Sequence, residues 1–227
     1  MIKTSEASEA SEGHLAVRRR LKLLRAGGFN GILGINLGQN RSSSSSSSSA
    51  VRDYVAGVTQ FSHLADFLVI NISPSSPSTS PSRQELRDLI QSVLAARREL
   101  GLARPPPLLL QISPDLTEPE LEEVAQLVTS PDCQVDGLVV SSSSSISSLF
   151  SLTGGRLPIV GLGGVSSGAE AWEKVLAGAS LVQVGGELLE AGPPLVPSIR
   201  SDLSHLLVEA GYQNIQQAVG AAHCRDQ

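Results

Sequence analysis

Cysteine and positive charge are both scarce in this sequence. The two cysteines, Cys133 and Cys224, lie far apart among 227 residues and lack the spacing of metal ligands. They support neither a disulfide framework nor a zinc site, so we expect a reducing compartment and no metal. The net charge of −5 leaves no basic stripe that would displace counterions from phosphates, so we expect no nucleic-acid partner. The short cluster Arg18–Lys22 is better interpreted as the solvated face of a helix.

Long apolar runs are also missing. No stretch approaches the roughly 18 consecutive apolar residues that a membrane span requires, so we expect no membrane span in this chain. The first twelve residues are acidic rather than arginine-rich and repeat Ala-Ser-Glu, which is unlike a signal peptide or a mitochondrial presequence. This composition predicts a disordered acidic leader over residues 1–14 and, without a presequence or anchor, a soluble protein if expressed as given.

Short apolar runs alternate with helical patterns from about Leu15 onward. This alternation is typical of successive βαβ units, and uniformly apolar strands indicate a parallel sheet covered on both faces. We therefore predict one α/β domain built around a parallel sheet over residues 15–227. The six predicted strands are Gly31–Leu37, Asp66–Ile72, Leu108–Ile112, Gly137–Val140, Pro158–Leu162 and Ser180–Val184.

Four segments have helical periodicity. Arg83–Leu100 carries apolar residues at i, i+3, i+4, i+7 and i+8, a stripe that faces the sheet. A second helix is expected to begin after Asp115 or Thr117 as its cap, and the last is expected to end at Gly211. The predicted helices are Arg83–Leu100, Glu118–Val128, Ala169–Leu176 and Leu203–Ala210.

Two polyserine insertions, Ser42–Ser49 and Ser141–Ser145, interrupt this order. Serine has weak preference for regular structure and little apolar surface, so the first tract is interpreted as a flexible connector. The second lies at the carboxyl end of a strand, where a β/α barrel normally carries its chemistry. Sequence degeneration or an artificial fill is the alternative interpretation of that tract.

The ordered series of strand-end motifs is more specific than any single glycine turn. From about His14 to His223 the series resembles the quinone-dependent, mitochondrial-type dihydroorotate dehydrogenases, most specifically in its final third. By this resemblance the fold is a TIM-type β/α barrel and the six strands look like the third to eighth of its eight, which implies an incomplete barrel and a truncated, divergent member. The main matching stretches are Gly34–Gly38, Leu64–Ser73, Ser113–Thr117, Pro158–Gly168 and Ala177–Gln183.

The resemblance implies a site for FMN. In the family, a base removes a proton from C5 of dihydroorotate while a hydride moves from C6 to the flavin N5. Side-chain amides suit the ureide-like edges of flavin and pyrimidine, although a turn asparagine closing a strand is the alternative at each position. Glycine pairs let backbone N–H groups approach the FMN phosphate. The implied cofactor-binding residues are Asn36, Asn71, Gln111, Ser141, Gly163, Gly164, Gly185 and Gly186.

The catalytic base falls in the loop Asn71-Ile72-Ser73-Pro74-Ser75-Ser76. The quinone-dependent class uses serine as its base. An ungapped match puts Pro74 at that position, and proline cannot accept a proton. A one-residue deletion makes Ser73 the base, which the motif favours. The implied substrate-binding residues are Asn71, Ser76, Ser142 and Ser143.

Several of these positions depart from the family pattern. Gln111 replaces a lysine that would stabilise the reduced flavin, a loss that slows flavin reduction roughly tenfold to a hundredfold. Ser141, Ser142 and Ser143 stand where the family has threonine, asparagine and threonine. At Gly185 and Gly186 the family's hydroxyls are replaced by glycines, which supply only amides.

Three functional hypotheses follow from these residues. The resemblance implies an FMN enzyme of de novo pyrimidine (UMP) biosynthesis at the mitochondrial inner membrane, which oxidises dihydroorotate to orotate with a quinone as acceptor. The departures favour an inactive pseudoenzyme or truncated member with a structural or binding role. A barrel that binds another phosphorylated metabolite is the third hypothesis. Open sheet edges in an incomplete barrel also suggest self-association.

Overall fold

A computed structural model describes residues 2–4, 13–39, 47–72 and 81–224 of the chain. The chain divides into two compact units. The first unit comprises residues 1–112 and 127–136, and the second comprises residues 113–126 and 137–227. Helix α4 (Glu118–Val128) contributes residues to both units.

Parallel strands form the centre of the first unit. Strand β2 pairs in parallel with β1 and with β3, and β3 pairs in parallel with β4. The strands are β1 (Ile2–Thr4), β2 (Gly34–Gly38), β3 (Phe67–Asn71) and β4 (Leu108–Gln111), and the helices between them are α1 (His14–Ala26), α2 (Ser47–Phe61) and α3 (Arg83–Glu99). The apolar stripe of α3 is buried as predicted, and a capping box of Ser82 and Glu85 fixes its start.

Two faces of this sheet differ in character. Successive side chains of a strand point to opposite faces, so alternate residues share one environment. Ile35 and Leu37 of β2 are at most 2% exposed, and the strand residues aligned with them on β3 and β4 are equally buried. The opposite face carries the polar residues of these strands, which concentrates candidate chemistry there.

Two aspartates clamp the beginnings of strands in the same way. The N–H of Asp66 donates to the Leu33 carbonyl at 2.8 Å, and the Leu33 N–H donates back to the Asp66 carboxylate at 2.7 Å. Asp136 and Leu108 exchange the same pair of bonds, each at 2.8 Å. Each carboxylate also accepts from an arginine of a preceding helix, Arg25 or Arg97. These clamps hold the backbone at Leu33 and Leu108, at the end of β2 and β4 remote from Asn71 and Gln111.

The second unit repeats the strand–helix order. Strand β5 pairs in parallel with β6, and β6 pairs in parallel with β7. Val165, Ala171, Leu195 and Ile199 form one of its apolar clusters. The elements are β5 (Gly137–Val140), α5 (Ser143–Leu152), β6 (Ile159–Leu162), α6 (Gly168–Ala177), β7 (Leu181–Gln183), α7 (Gly186–Ala191), α8 (Leu195–Glu209), α9 (Ile215–Ala218) and a 3₁₀ turn at Ala221–Cys224.

All six predicted strands are present, with ends shifted by up to three residues. Strand β1 lies in the segment interpreted as a disordered leader, so that interpretation is wrong for Ile2–Thr4; residues 5–12 lie outside the described part of the chain. Helix α8 begins at Leu195, eight residues before its predicted start.

The serine tracts are more regular than predicted. Ser47 begins α2 and Ser49 is 7% exposed, so the flexible-connector interpretation is wrong for Ser47–Ser49. Residues 42–46 lie outside the described residues. In the second tract Ser143 begins α5, whose Ser145, Ile146 and Leu149 are buried. Apolar partners later in each helix therefore outweigh the weak helix preference of serine.

Candidate functional site

Three side-chain amides share one face of the sheet in the first unit. Asn71 aligns with Gly38 of β2 and with Gln111 of β4, which puts Asn36, Asn71 and Gln111 on the same face. Asn36 is 4% exposed, and its Nδ2 donates to Gln111 Oε1 at 2.8 Å. These amides therefore share one face of the first unit, and their role in binding a flavin stays a prediction. The arrangement offers hydrogen bonds but no charge.

Tyr54 positions the end of β3. Its hydroxyl donates to the Asn71 carbonyl at 2.7 Å, and the residue is 4% exposed. Burial raises the pKa of Tyr54 to about 12, so the hydroxyl remains a donor at neutral pH. Through this bond, helix α2 fixes the backbone of Asn71, which leads into the predicted base loop. Ser73 and Ser76, the predicted base and a substrate contact, lie outside the described residues.

In the second unit, Lys174 fixes the end of β5. Its Nζ donates to the Ser141 carbonyl at 2.7 Å, and the side chain is 5% exposed. Burial is the main cause that lowers the pKa of Lys174. Gly161 leaves room for this side chain, because a Cβ there would lie 3.1 Å from Lys174 Cδ. The backbone of Ser141 is held, and its half-buried side chain lies beside the loop that follows β6.

The next two serines belong to the start of α5. Ser142 is the N-cap residue, and its Oγ lies 2.6 Å from Ser144 Oγ. Ser143 is the first helical residue. The hydroxyl of Ser142 thus contacts its own helix turn.

The loop after β6 contains two consecutive glycines in the left-handed backbone region. Gly163 and Gly164 have φ angles of +78° and +61°, in the left-handed region that disfavours other residues. A Cβ at Gly164 would meet nothing within 4 Å, and one at Gly163 would lie 3.9 Å from Ser141 Cβ. Gly186 also faces open space.

A carboxylate of the chain accepts from one backbone N–H of this loop and from one in the turn after β7. The Gly164 N–H donates to Glu187 Oε1 at 3.0 Å, and the Gly185 N–H donates to Glu187 Oε2 at 3.2 Å. Hydrogen bonds from backbone N–H groups, those of Glu187 itself, Gly185 and Gly164, lower the pKa of the Glu187 carboxyl. Glu187 is therefore an anion held between two glycine turns.

Two further carboxylates satisfy the start of α6. Glu170 accepts from the Ser166 N–H at 2.7 Å and from the Ser166 hydroxyl at 2.8 Å. These two bonds are the main causes that lower the pKa of Glu170. Asp202 lies 3.4 Å from the Gly168 nitrogen. The helix terminus expected to assist a phosphate is thus occupied by acidic side chains.

Comparison with known proteins gives the family. The dihydroorotate dehydrogenase family model matches residues 9–150 and 141–207, most of the chain. This chain belongs to the dihydroorotate dehydrogenase family. It is 37% identical to the mitochondrial quinone-dependent enzyme of Arabidopsis thaliana, over 85% of this chain and 48% of the relative. It is 35% identical to the quinone-dependent enzyme of Parvibaculum lavamentivorans, over 93% of this chain and 66% of the relative.

Solved structures agree. The crystal structure of the Eimeria tenella enzyme in complex with ferulenol has a TM-score of 0.83 and 26% identity, covering 94% of this chain and 69% of that one. The predicted α/β fold of the TIM type is therefore confirmed. The chain spans about half the length of several curated relatives, 48% in Arabidopsis thaliana and 55% in Mus musculus. Within the described residues, no helix is both long and apolar enough to cross a bilayer.

The family's FMN can be compared with the residues present. The glycine turns fit the close approach of a phosphate, but Glu187 holds the N–H groups of Gly164 and Gly185 that would bind it. A dianionic phosphate therefore does not fit while Glu187 is in place. Asn36 and Asn71 belong to the first unit and Gly164 to the second, so their convergence on one flavin stays a prediction.

Three residues of this family member's candidate site escaped the sequence-based prediction. Tyr54 lies on α2, which the sequence pattern did not predict because the helix begins within the serine tract. Lys174 falls on the buried stripe of α6 with Ala171 and Val175, a spacing that marks a charged residue pointing inward. Glu187 directly follows Gly185-Gly186. An acidic residue beside a predicted phosphate-binding turn is a sequence signal against phosphate binding there.

Proposed function

We propose that this chain is a dihydroorotate dehydrogenase homologue without dehydrogenase activity, one that binds FMN weakly or not at all. The observation that carries the proposal is the neutral pair formed by Asn36 and Gln111, joined by a hydrogen bond of 2.8 Å. By resemblance, Gln111 stands where the family has a lysine beside the flavin. An amide bonded to its neighbour supplies no positive charge for the anionic reduced flavin.

The magnitude of this loss is substantial. A hydrogen bond to a charged group contributes about 1.5–3 kcal/mol, and each 1.36 kcal/mol in the barrier changes a rate about tenfold. Replacing the charge alone therefore slows flavin reduction about tenfold to a hundredfold. The Ser142 hydroxyl, which contacts Ser144, adds a second loss, because the family's asparagine amide is absent from that position.

A second candidate function is the family reaction itself, FMN-dependent oxidation of dihydroorotate to orotate with a quinone acceptor. The placement of Asn36, Asn71 and Gln111 on one face favours it, since amides in this arrangement suit flavin and pyrimidine edges. The relatives named as quinone-dependent dihydroorotate dehydrogenases include the mitochondrial enzyme of Arabidopsis thaliana and the enzyme of Parvibaculum lavamentivorans. A mitochondrial inner-membrane location for this chain belongs to the same candidate.

The test uses the full chain, purified after expression with excess flavin and then mixed anaerobically with dihydroorotate. The proposal predicts that flavin absorbance does not bleach in the parent protein. Gln111→Lys is the matched variant, because it restores the family charge at one position. Absence of bleaching in the parent protein supports the proposal, and bleaching in Gln111→Lys alone also assigns the loss to residue 111. Bleaching in the parent protein establishes the second candidate instead.

A further inference from the structure

Glu187 has a chemically specific setting that the family resemblance does not explain. Its two carboxylate oxygens accept from two different turns, Oε1 from Gly164 and Oε2 from Gly185. Phosphate bound by glycine turns uses the same kind of donor, backbone N–H groups converging on an anion. The side chain therefore contributes from within the chain what a ligand phosphate would bring from solution.

Further acidic side chains lie near Glu187 and its glycine turns. Glu170 and Asp202 accept hydrogen bonds at the start of α6, the helix that follows this loop. Glu170 is also close enough to raise the pKa of Glu187, which opposes the larger lowering by the backbone N–H groups. Lys174, the cation of the same helix, donates to the Ser141 carbonyl. An incoming dianion meets acidic side chains where a phosphate site requires donors.

We propose that Glu187 is a built-in anion that closes the ancestral phosphate site and makes the chain discriminate against phosphorylated ligands. The inference rests on the proposed function, because it supplies the reason for weak FMN binding. The inference also goes beyond the proposed function, because Glu187 acts on phosphate recognition whereas Gln111 acts on flavin reduction. A flavin without phosphate does not compete with Glu187.

The experiment compares FMN with riboflavin, which differ in the phosphate, by fluorescence titration of the full chain. Glu187→Ala frees two N–H donors and removes one negative charge. We expect FMN affinity to rise at least about tenfold, the equivalent of about 1.4 kcal/mol, with riboflavin affinity unchanged. Glu187→Gln should give a smaller rise, because an amide has one acceptor oxygen and cannot bind both N–H groups.

Glu190→Ala is the matched control. Glu190 lies on the same short helix and is exposed, so its removal changes the net charge equally. FMN affinity should stay within about twofold of the parent's, since a solvent-exposed charge is largely screened. Circular dichroism spectra and melting temperatures establish that each variant is folded.

The contact itself has an independent readout. Amide chemical shifts of Gly164 and Gly185 should follow the titration of the Glu187 carboxyl in the parent and lose that pH dependence in Glu187→Gln. An FMN affinity of Glu187→Ala that does not exceed the parent's, including no measurable binding by either, overturns the inference. Dihydroorotate turnover by the parent would overturn the proposed function instead, so the two failures are distinguishable.

Discussion

Removing the carboxylate of Asp66 should destabilise the first unit by a predictable amount. Asp66 accepts from the Leu33 N–H at 2.7 Å and from Arg25 Nη2 at 2.5 Å. Asp66→Ala deletes both bonds and leaves the Leu33 N–H without this acceptor. Asp66→Asn keeps an oxygen for Leu33 but loses the charge, so it separates the two contributions.

The expected cost follows from the exposure of each partner. The backbone bond to a charged acceptor contributes about 1.5–3 kcal/mol. The ion pair is partly exposed, 26% for the Arg25 side chain and 47% for that of Asp66, so it adds only about 0.2–1 kcal/mol. Asp66→Ala should therefore lower the free energy of unfolding by about 2 kcal/mol, and Asp66→Asn by about 1 kcal/mol.

Urea denaturation followed by circular dichroism measures this difference, and its pH dependence supplies a second check. The Leu33 N–H is the largest cause that lowers the pKa of Asp66 below its ordinary 3.8. A carboxyl with a lowered folded-state pKa stabilises above its unfolded pKa and loses this effect as pH falls through the folded value. The gap between parent and Asp66→Asn should be constant near neutrality and narrow below pH 3.8.

The second clamp provides a replicate within the same chain. Asp136 accepts from the Leu108 N–H at 2.8 Å and from Arg97 at 2.5 Å, so Asp136→Ala should cost a similar 2 kcal/mol or so. Asp115→Ala, at an exposed turn, is the control and should change stability by less than about 0.5 kcal/mol. Losses below about 0.5 kcal/mol at both clamps would refute the reasoning.

Two further substitutions test packing near the candidate site. Tyr54→Phe should cost about 1–2 kcal/mol in urea denaturation, because the hydrogen bond from the Tyr54 hydroxyl to the Asn71 carbonyl is lost. Since burial raises the pKa of Tyr54 from 10.0 to about 12, the parent should lose stability as pH rises through that interval and the variant should lose less; equal losses would contradict this. Gly34→Ala should cost about 1–3 kcal/mol, because a Cβ there would lie 2.1 Å from the Phe67 ring. Gly186→Ala, which faces open space, is its control, and equal melting temperatures for the two variants would sink the prediction.

The strands were readable because each is a short apolar run between polar turns. Leu108–Gln111 and Gly137–Val140 are found within one residue of their predicted ends. Helices α2 and α5 were missed because their first turns are serine, whose local preference is weak. Strand β1 was missed because its stability comes from pairing with β2, more than thirty residues away in sequence.

The candidate site was only partly predictable for the same reason. Asn36 lies within the apolar strand β2 and Asn71 ends β3, and their shared face follows from strand alternation together with the pairing of Gly38 with Asn71. The bond between Asn36 and Gln111 joins residues 75 apart in sequence, and that between Gly164 and Glu187 joins residues 23 apart. Local patterns identify which groups are present, whereas the partner of each group depends on tertiary contacts.

The central claim is that the fold of a dihydroorotate dehydrogenase persists here without its redox chemistry. Anaerobic addition of dihydroorotate to the flavin-supplemented full chain tests it most directly, with flavin absorbance as the readout. We predict an unchanged flavin spectrum, because Gln111 supplies no charge to the reduced ring and Glu187 holds the phosphate donors. Bleaching of the flavin by dihydroorotate, with orotate as the product, would contradict the account.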